Sequence, residues 1–253
     1  HPENDGLGFT FKWNMGWMHD FLEYMKLDPY FRKYNHNRMT FSLTYFTSEN
    51  YILVLSHDEV VHLKCSMINK MPGLGEDKFS NLKAGYTFML GHPGKKLLFM
   101  GQDFGQWHEW DEKVSLDWYL AEEESHKKLR EYVRDLLHIY KKYPCLYQLD
   151  NDWNGFQWIN ANDGDRSIFS FIRKDETGKK NLLFVVNFTP VDRPDYRVGV
   201  PKRCKLSLLL DNVHGAYKPS QCPTYTSVKS ECDGQPYSIS YPLGGYGTAI
   251  FRF

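Results

Sequence analysis

The sequence predicts an α/β region followed by an all-β region within 253 residues. Two observations carry this reading. From residue 6 to about residue 143, short apolar runs alternate with longer stretches whose apolar residues recur at helical spacing, the grammar of βαβ units. Beyond about residue 146, short strand-like runs are divided by Gly, Asp, Asn and Pro, which predicts an antiparallel β-sandwich. The expected domains are therefore 1–146 and 147–253, sizes that suit two modest units.

Residues 9–13 read as the first strand. A helix over 16–26 follows, where Trp17, Phe21, Tyr24 and Met25 recur at i, i+4, i+7 and i+8 before Pro29 closes it. The continuous apolar run at 51–56 is the kind of strand buried on both faces of a parallel sheet. A helical pattern over 79–90 follows it, and 96–100 reads as the third strand. The last helix, 125–142, carries Leu129, Val133, Leu136, Leu137 and Tyr140 on one stripe and stops before Pro144. Right-handed crossovers set three such strands parallel. Three parallel strands leave two unpaired edges, so polypeptide beyond these residues is expected to complete the sheet. In the second region, 156–160, 167–173, 181–188, 196–200, 205–210, 237–241 and 248–253 read as strands, with 174–180 as a hairpin connection.

Composition narrows the function classes. The 31 Lys+Arg balance 31 Asp+Glu, and no local basic cluster is visible. Nucleic acid and membrane surfaces are thus not expected as partners. The longest apolar runs are five residues, against the roughly 20 that a membrane-spanning helix needs. The five cysteines are odd in number and lack C-x-x-C spacing, which predicts a reduced, cytoplasmic protein without a disulfide framework. The chain opens on His1-Pro2-Glu3-Asn4-Asp5, with neither Met nor a targeting pattern, and reads as a piece of a longer polypeptide. Aromatics make up 16% of residues. Core packing explains most of them, and an excess also suits hydroxyl-rich ligands that stack on rings.

The densest titratable cluster is Ser56-His57-Asp58-Glu59-Val60-Val61-His62, directly after the second strand. The carboxyl end of a parallel strand is where ligands bind in α/β architectures, although a polar loop or an acid-rich helix start reads the same way. His57 and His62 are five apart, about 140° around a helix, so they do not match the shared face of a zinc motif. No metal is expected. Asp150-Asn151-Asp152-Trp153-Asn154-Gly155 opens like a calcium loop, yet its twelfth position is Ala161, and it reads as a turn. Asn187-Phe188-Thr189 is a formal glycosylation acceptor that a reduced compartment leaves silent. Trp13 and Asn14 after the first strand, and Gln102, Asp103 and Gln106 after the third, would place ring and amide groups on a pocket rim suited to sugar hydroxyls.

Four runs then resemble one family: Lys12-Trp13-Asn14-Met15-Gly16-Trp17-Met18-His19-Asp20, Leu55-Ser56-His57-Asp58-Glu59-Val60-Val61-His62, 94–101 and 115–119. In this order they resemble the 1,4-α-glucan branching enzymes of bacterial type, in the α-amylase family. The resemblance implies the sixth to eighth strands of a (β/α)8 TIM barrel followed by a C-terminal antiparallel β-sandwich. It implies retaining double displacement, with Asp58 as the third family carboxylate and His57 as a hydrogen-bond partner of the same sugar ring. Trp13, Asn14, Glu59 and Gln102 are the expected substrate-binding residues. The nucleophile Asp and the acid/base Glu would lie upstream on the fourth and fifth strands, and neither Glu59 nor Asp103 matches those roles. The piece alone is therefore expected to be inactive. Its implied partners are α-1,4-glucan or glycogen and the N-terminal part of the same polypeptide, with no cofactor. A glucan hydrolase of the same family and a non-catalytic glucan-binding fragment remain alternatives. Leu63 stands where these enzymes commonly carry Gly, and Gln102-Asp103 replaces a frequent Asn-Glu pair.

Overall fold

Three short parallel strands, β1 (Lys12–Trp13), β2 (Tyr51–Leu55) and β3 (Lys95–Leu98), form one sheet in the order β1-β2-β3. The computed structural model describes residues 6–253, so the opening His1 to Asp5 lies outside it. The predicted strand over 9–13 shrinks to two residues, because Leu7, Phe9 and Phe11 are exposed and find nothing to pack against at this edge. The helices between the strands are α1 (Met15–Lys26), the short α2 (Pro29–Arg32) and α3 (Asn37–Thr40), and α4 (Glu76–Gly91), with α5 (Glu124–Lys142) after β3. Asn14 starts α1 by accepting the Trp17 amide at 2.9 Å, and Asp28 with Pro29 starts α2. On α5 the buried stripe is Leu129, Tyr132, Val133, Leu136 and Ile139. Leu137 instead lies in an apolar groove of about 370 Å³ that opens beside β3 and is shared with Met89, Leu98 and Leu136.

The remaining chain supplies β4 (Phe156–Asn160), β5 (Ile168–Arg173), β6 (Leu182–Asn187), β7 (Arg193–Val200), β8 (Lys205–Asp211), β9 (Gly215–Ala216), β10 (Thr224–Thr226), β11 (Tyr237–Leu243) and β12 (Thr248–Arg252). Seven strands pair antiparallel in the order β10-β8-β12-β6-β5-β4, with β9 on β8, and β7 pairs β11 in a separate ribbon. The two shortest strands of this region, β9 and β10, carry too little apolar pattern to be read from sequence.

Every residue of β5 and β6 is buried, and the twofold alternation of a strand divides their side chains between two cores. Ile168, Ile172, Leu183 and Val185 meet Tyr196, Val198, Ile239 and Leu243 of the β7-β11 ribbon. Phe169, Phe171, Phe184 and Val186 face the other way and join the core built by α1, α4 and α5. There Phe88 of α4 packs edge-on against Phe169, Phe171 and Phe188 at 5.4 to 6.0 Å. Contact is so close at the end of α4 that a Cβ on Gly91 would lie 2.7 Å from the Phe171 ring. The sequence grammar changes near residue 146, while the hydrophobic core runs across that point.

Buried polar groups reinforce the same junction. Arg32, fully buried, donates to Met25 O and Phe188 O at 2.8 Å and to Asn81 Oδ1 at 3.0 Å. Tyr132 OH links Thr87 of α4 to Thr248 of β12, each at 2.7 Å. Arg173, also fully buried, bonds Gly91 O and Asp150 Oδ1 at 2.9 Å, and Lys95 reaches Asp150 Oδ2 at 2.8 Å. Asp150 is thus committed to two cations, and Asp152 caps the Asn154 amide, which makes 150–155 a turn.

Burial would raise the Asp150 carboxyl, but Lys96, Arg173 and Lys95 together outweigh it and pull its pKa down to about 2. A carboxylate with a folded pKa below its unfolded value near 3.8 contributes stability that is complete above that value. Unfolding titrations should therefore lose roughly 2 kcal/mol of stability from this group as pH falls from about 5 to 2. Asp150→Asn should flatten that part of the profile.

Candidate functional site

The carboxyl ends of the three parallel strands bring the predicted residues to one side of the sheet. The ladder holds them level, with Asn14 N on Ile52 O at 2.9 Å and Phe99 N on Leu55 O at 3.1 Å. After β2 the chain leaves the extended conformation at Ser56 and makes a single 3₁₀ turn, His57–Glu59, closed by Val60 N on His57 O at 2.9 Å. That turn puts neighbouring side chains to different uses.

His57 and Asp58 point outward, with side chains 48% and 50% exposed. His57 Nε2 lies 3.3 Å from Asp58 Oδ1, and Ser56 Oγ donates to Asp58 Oδ2 at 3.3 Å. The carboxylate is oriented from two sides and still open to a ligand. The His57 ring sits against Phe99 at 5.7 Å and Trp110 at 6.3 Å, and those two rings pack edge-on at 5.1 Å. Glu59 turns inward and is only 7% exposed. Lys64 Nζ, 3.5 Å from the Glu59 carboxylate, also donates to Asp58 O at 2.7 Å.

The other predicted residues differ in accessibility. Trp13, on edge strand β1, presents an exposed ring, whereas Asn14 is buried. The Asn14 amide oxygen accepts from Trp17 N and from Tyr45 OH at 3.0 Å, so it is occupied by the start of α1. Gln102 is buried too, and both of its amide atoms lack a protein partner. It lines a small cavity with Ser66, Gln106 and Trp110, and the Ser66 hydroxyl there is likewise unpartnered. Gln106 instead binds the following loop, accepting Asp117 N at 3.0 Å. Asp103 lies apart, on the groove beside β3.

Sequence reasoning missed Phe99, Trp110 and Lys64. Trp110 joins through a backbone bond, its amide donating to Val60 O at 2.9 Å across fifty residues, and no periodicity marks that pairing. The loop after the turn is also unusual. His62, Leu63 and Cys65 hold φ of 56°, 66° and 68°, and the Leu63 side chain is 96% exposed.

Among the described residues no group of three His, Cys, Asp or Glu side chains could hold a metal ion, and no helix is long and apolar enough to cross a membrane. All five cysteines are free. Asn187 is fully buried, its amide donating to Val191 O and Gly244 O.

Residues 158–253 match the family described as "Alpha amylase, C-terminal all-beta domain". The chain is similar to the 1,4-alpha-glucan branching enzyme GlgB of Butyrivibrio fibrisolvens, with 57% identity over 255 residues that cover all of this chain and 40% of that protein. It is 53% identical to the enzyme of the same name from Halothermothrix orenii, over 98% of this chain and 40% of that protein. The chain thus spans about two fifths of the length of these relatives. The crystal structure of an alpha-amylase from H. orenii shares the fold, with a TM-score of 0.63 at 15% identity over 97% of this chain and 49% of the other.

Left-handed backbone costs a side-chain-bearing residue about 1–2 kcal/mol, while glycine loses an extra 0.5–1 kcal/mol of entropy on folding. With its side chain in solvent, Leu63 gives up no packing. Leu63→Gly in the complete protein should leave thermal stability unchanged or raise it by up to about 1 kcal/mol, as read by the melting midpoint. A loss above 1 kcal/mol would mean that the Leu63 side chain is held by something else.

Proposed function

Because this chain is homologous along its whole length to part of the bacterial 1,4-alpha-glucan branching enzymes, we infer that it is the C-terminal part of such an enzyme. The parent cleaves an α-1,4-glucan and transfers the released chain to a 6-hydroxyl, making an α-1,6 branch. Residues 1–146 are the end of its (β/α)8 barrel, β1 to β3 being the sixth to eighth strands, and 147–253 are its C-terminal β-sandwich. In support, among the described residues β1 and β3 each keep an unpaired edge, and the apolar groove beside β3 is open where a further strand and helix would cover it. The observation that carries the reading is the 57% identity over the whole chain together with an outward-facing His57-Asp58 pair at the carboxyl end of a parallel strand.

The chemistry follows from the accessible groups. A retaining mechanism needs a nucleophilic carboxylate and a carboxylic acid roughly 5–5.5 Å apart. Glu59, next to Asp58 in the chain, points inward beside Lys64 and is not turned to the same space. On this reading both partners come from upstream polypeptide, and this piece alone does not cleave glucan. Asp58 accepts sugar hydroxyls, and His57, braced by Phe99 and Trp110, donates to the same ring. Such contacts accelerate cleavage to the extent that they tighten as positive charge develops on the sugar. Trp13 offers an exposed face for stacking, and Gln102 an amide whose hydrogen bonds are unmade. Glu59 and Asn14 contribute at one remove, through Lys64 and the start of α1.

The complete protein mixed with amylose should generate α-1,6 branch points without a matching rise in reducing ends. Asp58→Asn should lower kcat by a factor of about 100 or more. A rise in reducing ends without branches would favour hydrolysis, and cleavage by the isolated 253-residue piece would refute the upstream origin of the nucleophile.

A further inference from the structure

The loop that follows Asp58 adopts a backbone conformation that is costly for the residues it contains. Left-handed backbone at His62, Leu63 and Cys65 is disfavoured for side-chain-bearing residues, and the side chains of Leu63 and Cys65 lie in solvent. A turn of this kind makes backbone amides converge and form a concavity suited to an anion. The anion is the Glu109 carboxylate. Its Oε2 accepts Leu63 N at 3.0 Å and its Oε1 accepts Cys65 N at 2.6 Å, so each oxygen is taken by a charge-assisted bond.

The rest of the loop is fixed in the same manner. Trp110, next to Glu109, donates its amide to Val60 O at 2.9 Å, and Lys64 reaches back to Asp58 O at 2.7 Å while Lys70 Nζ donates to Lys64 O. The loop carrying Glu109 is itself braced, with His108 Nδ1 2.6 Å from Asp117 Oδ2 and Asp117 N on Gln106 Oε1. Two strand ends are therefore joined, one bearing His57 and Asp58 and the other bearing Phe99, Gln102 and Glu109.

We propose that Glu109 is the positioning residue that sets the 57–65 loop, and through it the His57-Asp58 pair, for glucan cleavage. This rests on the reading of Asp58 and His57 as sugar-binding groups. A neutral amide replaces the carboxylate only in part, because Gln keeps one acceptor oxygen and turns an N–H donor toward the second backbone N–H.

The test uses the complete protein with Glu109→Ala and Glu109→Gln. Misplacing a group that contacts the transition state lowers kcat, by up to about a hundredfold for a shift near 1 Å. We expect kcat on amylose to fall at least about tenfold in Glu109→Ala and less in Glu109→Gln, with KM within about threefold. The melting midpoint should stay close to that of the parent, while the Leu63 and Cys65 amides exchange at least about tenfold faster. Unchanged kcat in both variants overturns the proposal, and so does a lowered melt in both, which would make Glu109 a residue of global stability. If the unsubstituted protein does not act on glucan, the functional reading fails by itself. Amide exchange then decides the role of Glu109 independently, and unaltered exchange at Leu63 and Cys65 overturns it.

Discussion

The physical constraint on which the rest depends is a β-sheet with two apolar faces. β5 and β6 expose no residue to solvent, so each face must be covered by a different layer. The β7-β11 ribbon covers one, and the helices α1, α4 and α5 cover the other. The second face fixes the α/β part against the sandwich, because Phe88, Phe169, Phe171 and Phe188 interlock, and Phe171 with Phe184 leaves no room for a side chain at Gly91. Two fully buried arginines span the same seam. Except for Arg32 Nε, their donors are met by carbonyls, an amide and one carboxylate, which offsets much of the cost of burying charge.

This rigid base bears directly on the candidate site. The three parallel strands are short, and among the described residues β1 and β3 have open edges, so the sheet has little stability of its own. α4 leads from the loop after β2 to β3; it is buried along most of its length, and Phe88 and Gly91 near its end pack against Phe169, Phe171 and Phe184 of the sandwich. The β2 and β3 ends are thus anchored from behind, while their loops are joined in front through Trp110 and Val60. Rigid elements behind and hydrogen-bonded loops ahead are what the sugar-binding role proposed for His57 and Asp58 needs if the pair is to keep its geometry.

Much of this was legible in the sequence, and what was not has identifiable causes. Continuous apolar runs at 51–55 and 182–186 located β2 and β6 because they are buried on both faces. The helical stripe of α5 was readable from its period, although Leu137 falls toward the open groove. The first strand was overestimated because Phe9 and Phe11 read as core residues but lie at an uncovered edge. At the site, His57 and Asp58 stood out by their place after an apolar strand, whereas Asn14 read as a ligand and is occupied as the cap of α1. Trp110 and Lys64 were invisible. They act through backbone carbonyls, and such bonds leave no pattern in the side-chain sequence.

The shared core is the central claim, and native-state hydrogen exchange in the complete protein tests it most directly. If one core joins the two regions, the most protected amides of α4 and of β5 and β6 should open with the same free energy and the same denaturant dependence. Exchange of α4 at markedly lower free energy, with β5 and β6 still protected, would show two separately stable units and contradict it.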